Sequence, residues 1–123
     1  MSANQLSEHF QRHEFACKCG CGFNDVDPAL IVVLENIREV FNSPVIINSA
    51  CRCPSHNARV GGSVNSQHPL GKAADIVVQG AHADEVADYL EDTYPDTYGI
   101  GRYDGRTHID VRHKRARWDK RTE

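Results

Sequence analysis

The stretch Ser66-Gln67-His68-Pro69-Leu70-Gly71-Lys72-Ala73-Ala74-Asp75 constrains this chain more than any other. A histidine and a carboxylate stand seven residues apart, with a Pro-Leu-Gly bend between them and the apolar run Ile76-Val77-Val78 after them. A short apolar run bounded by turn residues reads as a buried strand. Asp75 then lies at the mouth of that strand and His68 on the loop feeding it. A neutral imidazole and a hard carboxylate oxygen are two of the three protein ligands that a catalytic zinc requires. A third ligand must come from elsewhere in the chain.

The third comes from the far end. Tyr98–Tyr103 and Arg106–Arg112 read as strands joined by Asp104-Gly105, a dipeptide that favours a two-residue type I′ hairpin turn. Side chains alternate along a strand. Thr107, Ile109 and Val111 take one face, while His108, Asp110 and Arg112 take the other. His108 is the third metal-ligand candidate, and Asp110 lies about 6–7 Å further along the same face. A His68/Asp75/His108 set with an open fourth position suits a zinc-bound water, whose pKa the metal lowers towards about 7.

The scaffold around these residues is also legible. Asp27-Pro28 opens a helix, with aspartate as the cap and proline where no donor is needed. Leu30, Val33, Leu34, Ile37, Val40 and Phe41 form its apolar stripe, and Ser43-Pro44 stops it. Val45–Ser49 reads as a strand leading into Cys51-Arg52-Cys53-Pro54. Pro54 to about Arg59 forms a short helical turn ended by Gly61-Gly62. Arg52, at a strand end, is placed to hold a carboxylate bidentately, although a surface salt bridge would use the same residue. His82–Tyr94 reads as another helix, with Val86, Ala87, Leu90 and Tyr94 inward and a solvated acidic face. Ser7 is read as the cap of a short helix before Phe10, and His9 and His13 as surface residues without partners.

The length of 123 residues fits one domain with one core. No apolar run approaches membrane-spanning length. Met1–Gln5 lacks the charged-then-apolar pattern of a secretory signal, so the expectation is synthesis in the cytoplasm and action elsewhere after release. The net charge of −3 is unevenly spread. Arg112 to Arg121 carries six bases against one acid. Residues 113–123 therefore read as a basic tail on an acidic body at 1–112, suited to an anionic envelope or to no more than a solvated terminus. Five cysteines fall in two clusters, Cys17, Cys19, Cys21 and Cys51, Cys53. The odd number argues against a secreted disulfide framework. A second, structural zinc on them is weighed, with reduced thiols as the preferred reading.

Asn48-Ser49-Ala50-Cys51-Arg52-Cys53-Pro54-Ser55-His56-Asn57, Val60-Gly61-Gly62, Ser66-Gln67-His68, Gly71-Lys72-Ala73-Ala74-Asp75 and Thr107-His108-Ile109-Asp110 together resemble the zinc D-Ala-D-Ala carboxypeptidase superfamily. That group includes VanX-type dipeptidases, bacterial murein peptidases and phage L-alanyl-D-glutamate endolysins, and hedgehog signalling domains share its fold. The resemblance implies a small α+β domain whose antiparallel sheet carries the zinc with helices packed against it. It implies one catalytic zinc on His68, Asp75 and His108, and Ser49 with Arg52 in the substrate pocket. Many members carry an acid three residues before the last ligand as general base. Here that position is Gly105, which leaves Asp110, then Asp104, as catalytic candidates, with Asp110 alternatively orienting a ligand from behind.

The function expected is zinc-dependent hydrolysis of peptidoglycan stem peptides by a monomer, in the manner of a phage endolysin, with no specific nucleic-acid partner. The alternative is a non-catalytic zinc-binding module of the same fold, such as a phage structural component.

Overall fold

The computed structural model describes residues 4–122, so Met1–Ala3, on which part of the leader expectation rests, lie outside the described residues. The elements run α1 (Pro28–Phe41), β1 (Val45–Ser49), α2 (Pro54–Arg59), β2 (Ala73–Val78), α3 (Ala83–Thr93), β3 (Gly99–Arg102), β4 (Thr107–Asp110) and β5 (Ala116–Asp119). The fold class is α+β, as expected, with one five-stranded sheet in the order β1-β2-β4-β3-β5. Its pairings are antiparallel except β3 with β5, which is parallel, so the sheet is mixed rather than purely antiparallel.

Local chemistry sets the helix limits. The Asp27 carboxylate accepts from the Ala29 N–H at 2.8 Å, and Asn42 ends α1 in the left-handed region at φ 49°. Leu30, Ile31, Val33, Leu34 and Ile37 are the buried stripe. Val40, expected on it, is 58% exposed, because the stripe turns towards Ile31 where α1 meets β1 and β2. In α3, Val86, Ala87 and Leu90 are buried as expected. Its acidic face is not simply solvated. The Arg102 guanidinium donates to Asp88 at 2.6 Å and Glu91 at 3.2 Å, and Arg121 donates to Asp84 at 2.9 Å.

Alternation divides the sheet. Ala74, Ile76, Val78, Ile100 and Ile109 join the core with Phe10, Phe15 and the buried stripes of α1 and α3. The opposite face carries Asp75, His108 and Asp110.

Several local expectations are corrected. No helix forms at Ser7–Phe10; instead Ser7 Oγ and the His9 N–H and ring bind Glu35, a partner 26 or more residues away that local pattern cannot reveal. His9 therefore has a partner. The β3–β4 hairpin keeps the expected register, Arg102↔Thr107, but its connection is four residues, Tyr103–Arg106, and neither Asp104 nor Gly105 has positive φ. The turn is not type I′. Arg106 stacks over the Tyr103 ring at 4.0 Å, so these two side chains contact each other where the strand pairing opens. Asp75 is the third residue of β2 rather than its mouth. Finally, residues 116–119 of the basic C-terminal segment form β5.

Candidate metal centre and cleft

Sheet register assembles the site. Ser49 pairs with Asp75, Asp75 with His108, His108 with Gly101, and Gly101 with Trp118. One row thus crosses all five strands, and its residues share the face opposite the core. A bulge between Ile47 and Ser49 re-aims the end of β1 into this row. The next row runs Ala73, Asp110, Gly99 and Ala116.

The bend before β2 delivers His68. Gly71 has φ +70°, and a Cβ there would lie 1.9 Å from the Asp25 carbonyl oxygen, so only glycine fits. The His68 ring Nδ1 is 2.6 Å from the Ala50 carbonyl oxygen. Donation to that oxygen puts the proton on Nδ1 and leaves Nε2 as a lone pair, 3.5 Å from Asp75 Oδ2. His108 Nδ1 lies 3.0 Å from Asp75 Oδ1, and its Nε2 lies 2.7 Å from Asp110 Oδ2. One ligand atom from each of His68, Asp75 and His108 falls within 4.8 Å of the other two, and all three residues are buried. Two imidazoles and a carboxylate, each ring fixed by an oxygen on its far nitrogen, form a donor set with outer support that fits a metal ion such as zinc.

Electrostatics follow from this packing. Burial works to raise the Asp75 pKa, but the hydrogen bond from His108, with the His68 ring beside it, outweighs it and holds the carboxyl well below the usual range. Burial opposes charge on His108, yet Asp110 and Asp75 together push its pKa up. Burial would also raise Asp110; Arg112, then His108, hold it low.

The catalytic candidates separate. Asp110 is fully buried, and its oxygens take His108 Nε2, Arg112 Nε and Nη2 (2.8 Å each) and the Arg112 backbone N–H at 3.2 Å. Its carboxylate sits behind His108 and does not line the cleft. Gly99 makes room for it, since a Cβ there would be 2.4 Å from Asp110 Oδ2. Asp104 is not brought to the group. Its carboxylate accepts from the Thr122 N–H and hydroxyl at 3.1 and 2.9 Å and lines a separate hollow.

The substrate-side candidates do meet. Arg52 donates from Nε to Ser49 Oγ, from Nη1 to Asn57 Oδ1 and from Nη2 to Asp75 Oδ2, all at 3.1 Å. Ser49 thereby holds Arg52 and is not itself a lining residue. Gly62 leaves space for Asn57, whose Oδ1 would lie 2.1 Å from a Cβ at that position. The cleft above the group, about 710 Å³, is lined on its cationic side by Arg52, Arg106, Arg112 and Lys120. Tyr103 and Trp118 supply aromatic surface, and the Trp118 ring lies 4.9 Å from that of His108. Trp118 was not legible in advance. Its strand is short and charge-rich, and only parallel pairing to β3, with Gly101 beneath the indole, brings it here.

The cysteines divide as well. Sulfur atoms of Cys17, Cys19, Cys21 and Cys53 lie within 4.8 Å of one another, while the Cys51 thiol is 3.8 Å from the Asp25 carbonyl oxygen.

A small α+β domain with a His/Asp/His group on the open face of its sheet has the form of a metal-dependent hydrolase. A family profile described as Peptidase M15 matches residues 8–110, and the chain belongs to that family of zinc metallopeptidases. Among curated proteins, none matches the chain. The described residues contain no helix long and apolar enough to cross a membrane.

Proposed function

We propose that this protein hydrolyses peptide bonds in peptidoglycan stem peptides, using one zinc held by His68, Asp75 and His108. The observation that carries this reading is a metal-capable group at the floor of a cleft ringed by four cationic side chains. Stem peptides are short, acidic and end in a free carboxylate, which suits such a cleft. Bound zinc would polarise the scissile carbonyl and lower the pKa of attacking water. Arg52 has five N–H donors and uses one each on Ser49, Asn57 and Asp75. Its remaining donors can take a substrate carboxylate or developing oxyanion. Arg106 and Lys120, at the rim, would engage further carboxylates, and Trp118 and Tyr103 would bound the peptide. Lys114 and Lys120, both exposed, would favour an anionic envelope, in keeping with an endolysin-like role at the cell wall.

A non-catalytic zinc-binding module is the second reading, and one observation favours it. Among the described residues, Asp75 is the one carboxylate lining the cleft, and Gly105 stands where many relatives of this type carry an acid. Digestion of purified murein, followed by mass spectrometry of the released peptides, decides between them. New peptide termini that vanish with chelator and return with zinc support the peptidase and identify the bond cut. Zinc that depends on His68 and His108, without cleavage, supports the module. Loss of no metal in His68→Ala and His108→Ala would overturn both.

A further inference from the structure

The cysteine-rich loop near the start of the chain belongs to neither function. Cys17-Lys18-Cys19-Gly20-Cys21-Gly22 folds into a tight loop, closed by Cys17 N–H to the Phe23 carbonyl at 2.8 Å and Gly20 N–H to the Cys17 carbonyl at 3.2 Å. Gly20 at φ +83° and Gly22 at φ +93° take left-handed conformations that favour glycine, and so let the loop turn tightly. Cys53 reaches the same point from 32 residues downstream, as the cap of α2. The sulfurs of Cys17 and Cys19 are 3.4 Å apart and those of Cys19 and Cys53 are 3.6 Å apart. All four sulfurs lie within 4.8 Å of one another.

These separations discriminate between bonding schemes. A disulfide requires about 2.05 Å between sulfurs. A tetrahedral zinc with Zn–S bonds of about 2.3 Å sets its sulfurs about 3.8 Å apart. The spacings of 3.4 and 3.6 Å lie within about 0.4 Å of the second value and well beyond the first. Packing does not explain the convergence either, since Cys19 and Cys21 are exposed and only Cys17 is buried. Backbone donors already face the sulfurs: Cys53 N–H to Cys17 Sγ and His56 N–H to Cys53 Sγ, both at 3.4 Å. Such donors offset the negative charge of a four-thiolate centre. The fifth cysteine, Cys51, is only 2% exposed and its thiol faces the Asp25 carbonyl, so the odd thiol is accounted for in the core.

We propose that Cys17, Cys19, Cys21 and Cys53 form a second, structural metal site that takes zinc or another thiophilic divalent cation. Its place in the fold gives it a task. It staples the N-terminal loop to the segment leaving β1, where Arg52 precedes Cys53 and bonds Asp75. The Cys51 N–H to Phe15 carbonyl bond, 3.0 Å, joins the same two segments. Closed four-cysteine sites of this kind contribute folding energy directly.

The test uses the full chain, reduced and metal-free, titrated with cobalt(II) alone. One equivalent should give strong thiolate-to-cobalt charge-transfer absorption, in the wild type and equally in a His68→Ala/His108→Ala chain. The Cys19→Ser/Cys21→Ser chain, altered at exposed positions, should keep its far-ultraviolet circular dichroism and lose that absorption. X-ray absorption of the zinc-loaded His68→Ala/His108→Ala protein should show a sulfur shell at about 2.3 Å. If the serine variant does not fold, the absorption and sulfur shell of the histidine variant still decide. Titratable thiols without charge-transfer absorption, a sulfur-linked pair found by mass spectrometry of the freshly purified chain, or undiminished absorption in the folded serine variant would each overturn the site. None of these readouts depends on peptide hydrolysis.

Discussion

Asp110→Asn separates a carboxylate that moves protons from one that holds a ligand. The wild-type carboxylate is fully buried and accepts from His108 Nε2 at 2.7 Å and from two Arg112 nitrogens at 2.8 Å. An amide keeps one acceptor and gains a donor. Either the amide N–H faces Arg112, losing the paired guanidinium contact, or it faces His108. In the second case His108 must carry its proton on Nδ1, the nitrogen that faces Asp75 and would hold the metal. Hydrogen bonds to charged groups contribute about 1.5–3 kcal/mol each, and Arg112 can recover part of its loss from water because a quarter of it is exposed. We expect a net destabilisation of about 2–3 kcal/mol, which for a chain of this size lowers Tm by roughly 8–12 °C. Metal affinity should fall about 10–100-fold, as for other losses of a ligand's outer partner. The assay is competition against a chromophoric chelator, with turnover then measured at saturating zinc, where it should return close to wild type. Wild-type metal affinity with turnover reduced by about 10²–10⁴ would refute the reasoning and make Asp110 a proton-transfer residue.

Two further expectations test the scaffold. Gly101→Ala places a Cβ 2.3 Å from Trp118 Nε1, which also donates to the Tyr103 hydroxyl at 2.9 Å; overpacking of this kind costs about 1–3 kcal/mol and should shift the emission of the chain's single tryptophan. Unchanged emission and Tm would mean that β5 does not lie on β3 in solution. Burial works to raise the Glu35 pKa, but hydrogen bonds from Ser7 and His9 outweigh it, so the folded-state value lies below the unfolded one. Glu35→Gln should therefore destabilise most above the unfolded value of about 4.3, and the gap from wild type should close as pH falls through the lower folded value. Thermal melts of both proteins from neutral to acid pH check this, and a gap that widens in acid would contradict it.

Much of the scaffold is written locally. Asp27-Pro28 and Ser43-Pro44 bound α1, and the alternation Thr107-His108-Ile109-Asp110 separates core from site, because capping, proline geometry and strand alternation act over a few residues. The sequence also brought His68, Asp75, His108 and Arg52 forward together, since a bend, a strand and a hairpin are all local signals. The tertiary structure decided the rest. It put Asp110 behind His108 rather than in the cleft, because Gly99 across the strand pair leaves the space its carboxylate fills. It turned residues 116–119 of an expected tail into an edge strand and carried Trp118 into the site row. It drew four of five cysteines to one point from two distant segments. Each outcome depends on which residues face one another across strands and loops far apart in sequence. That pairing is set by sheet register and by burial of the common core, and no window of neighbouring residues contains it.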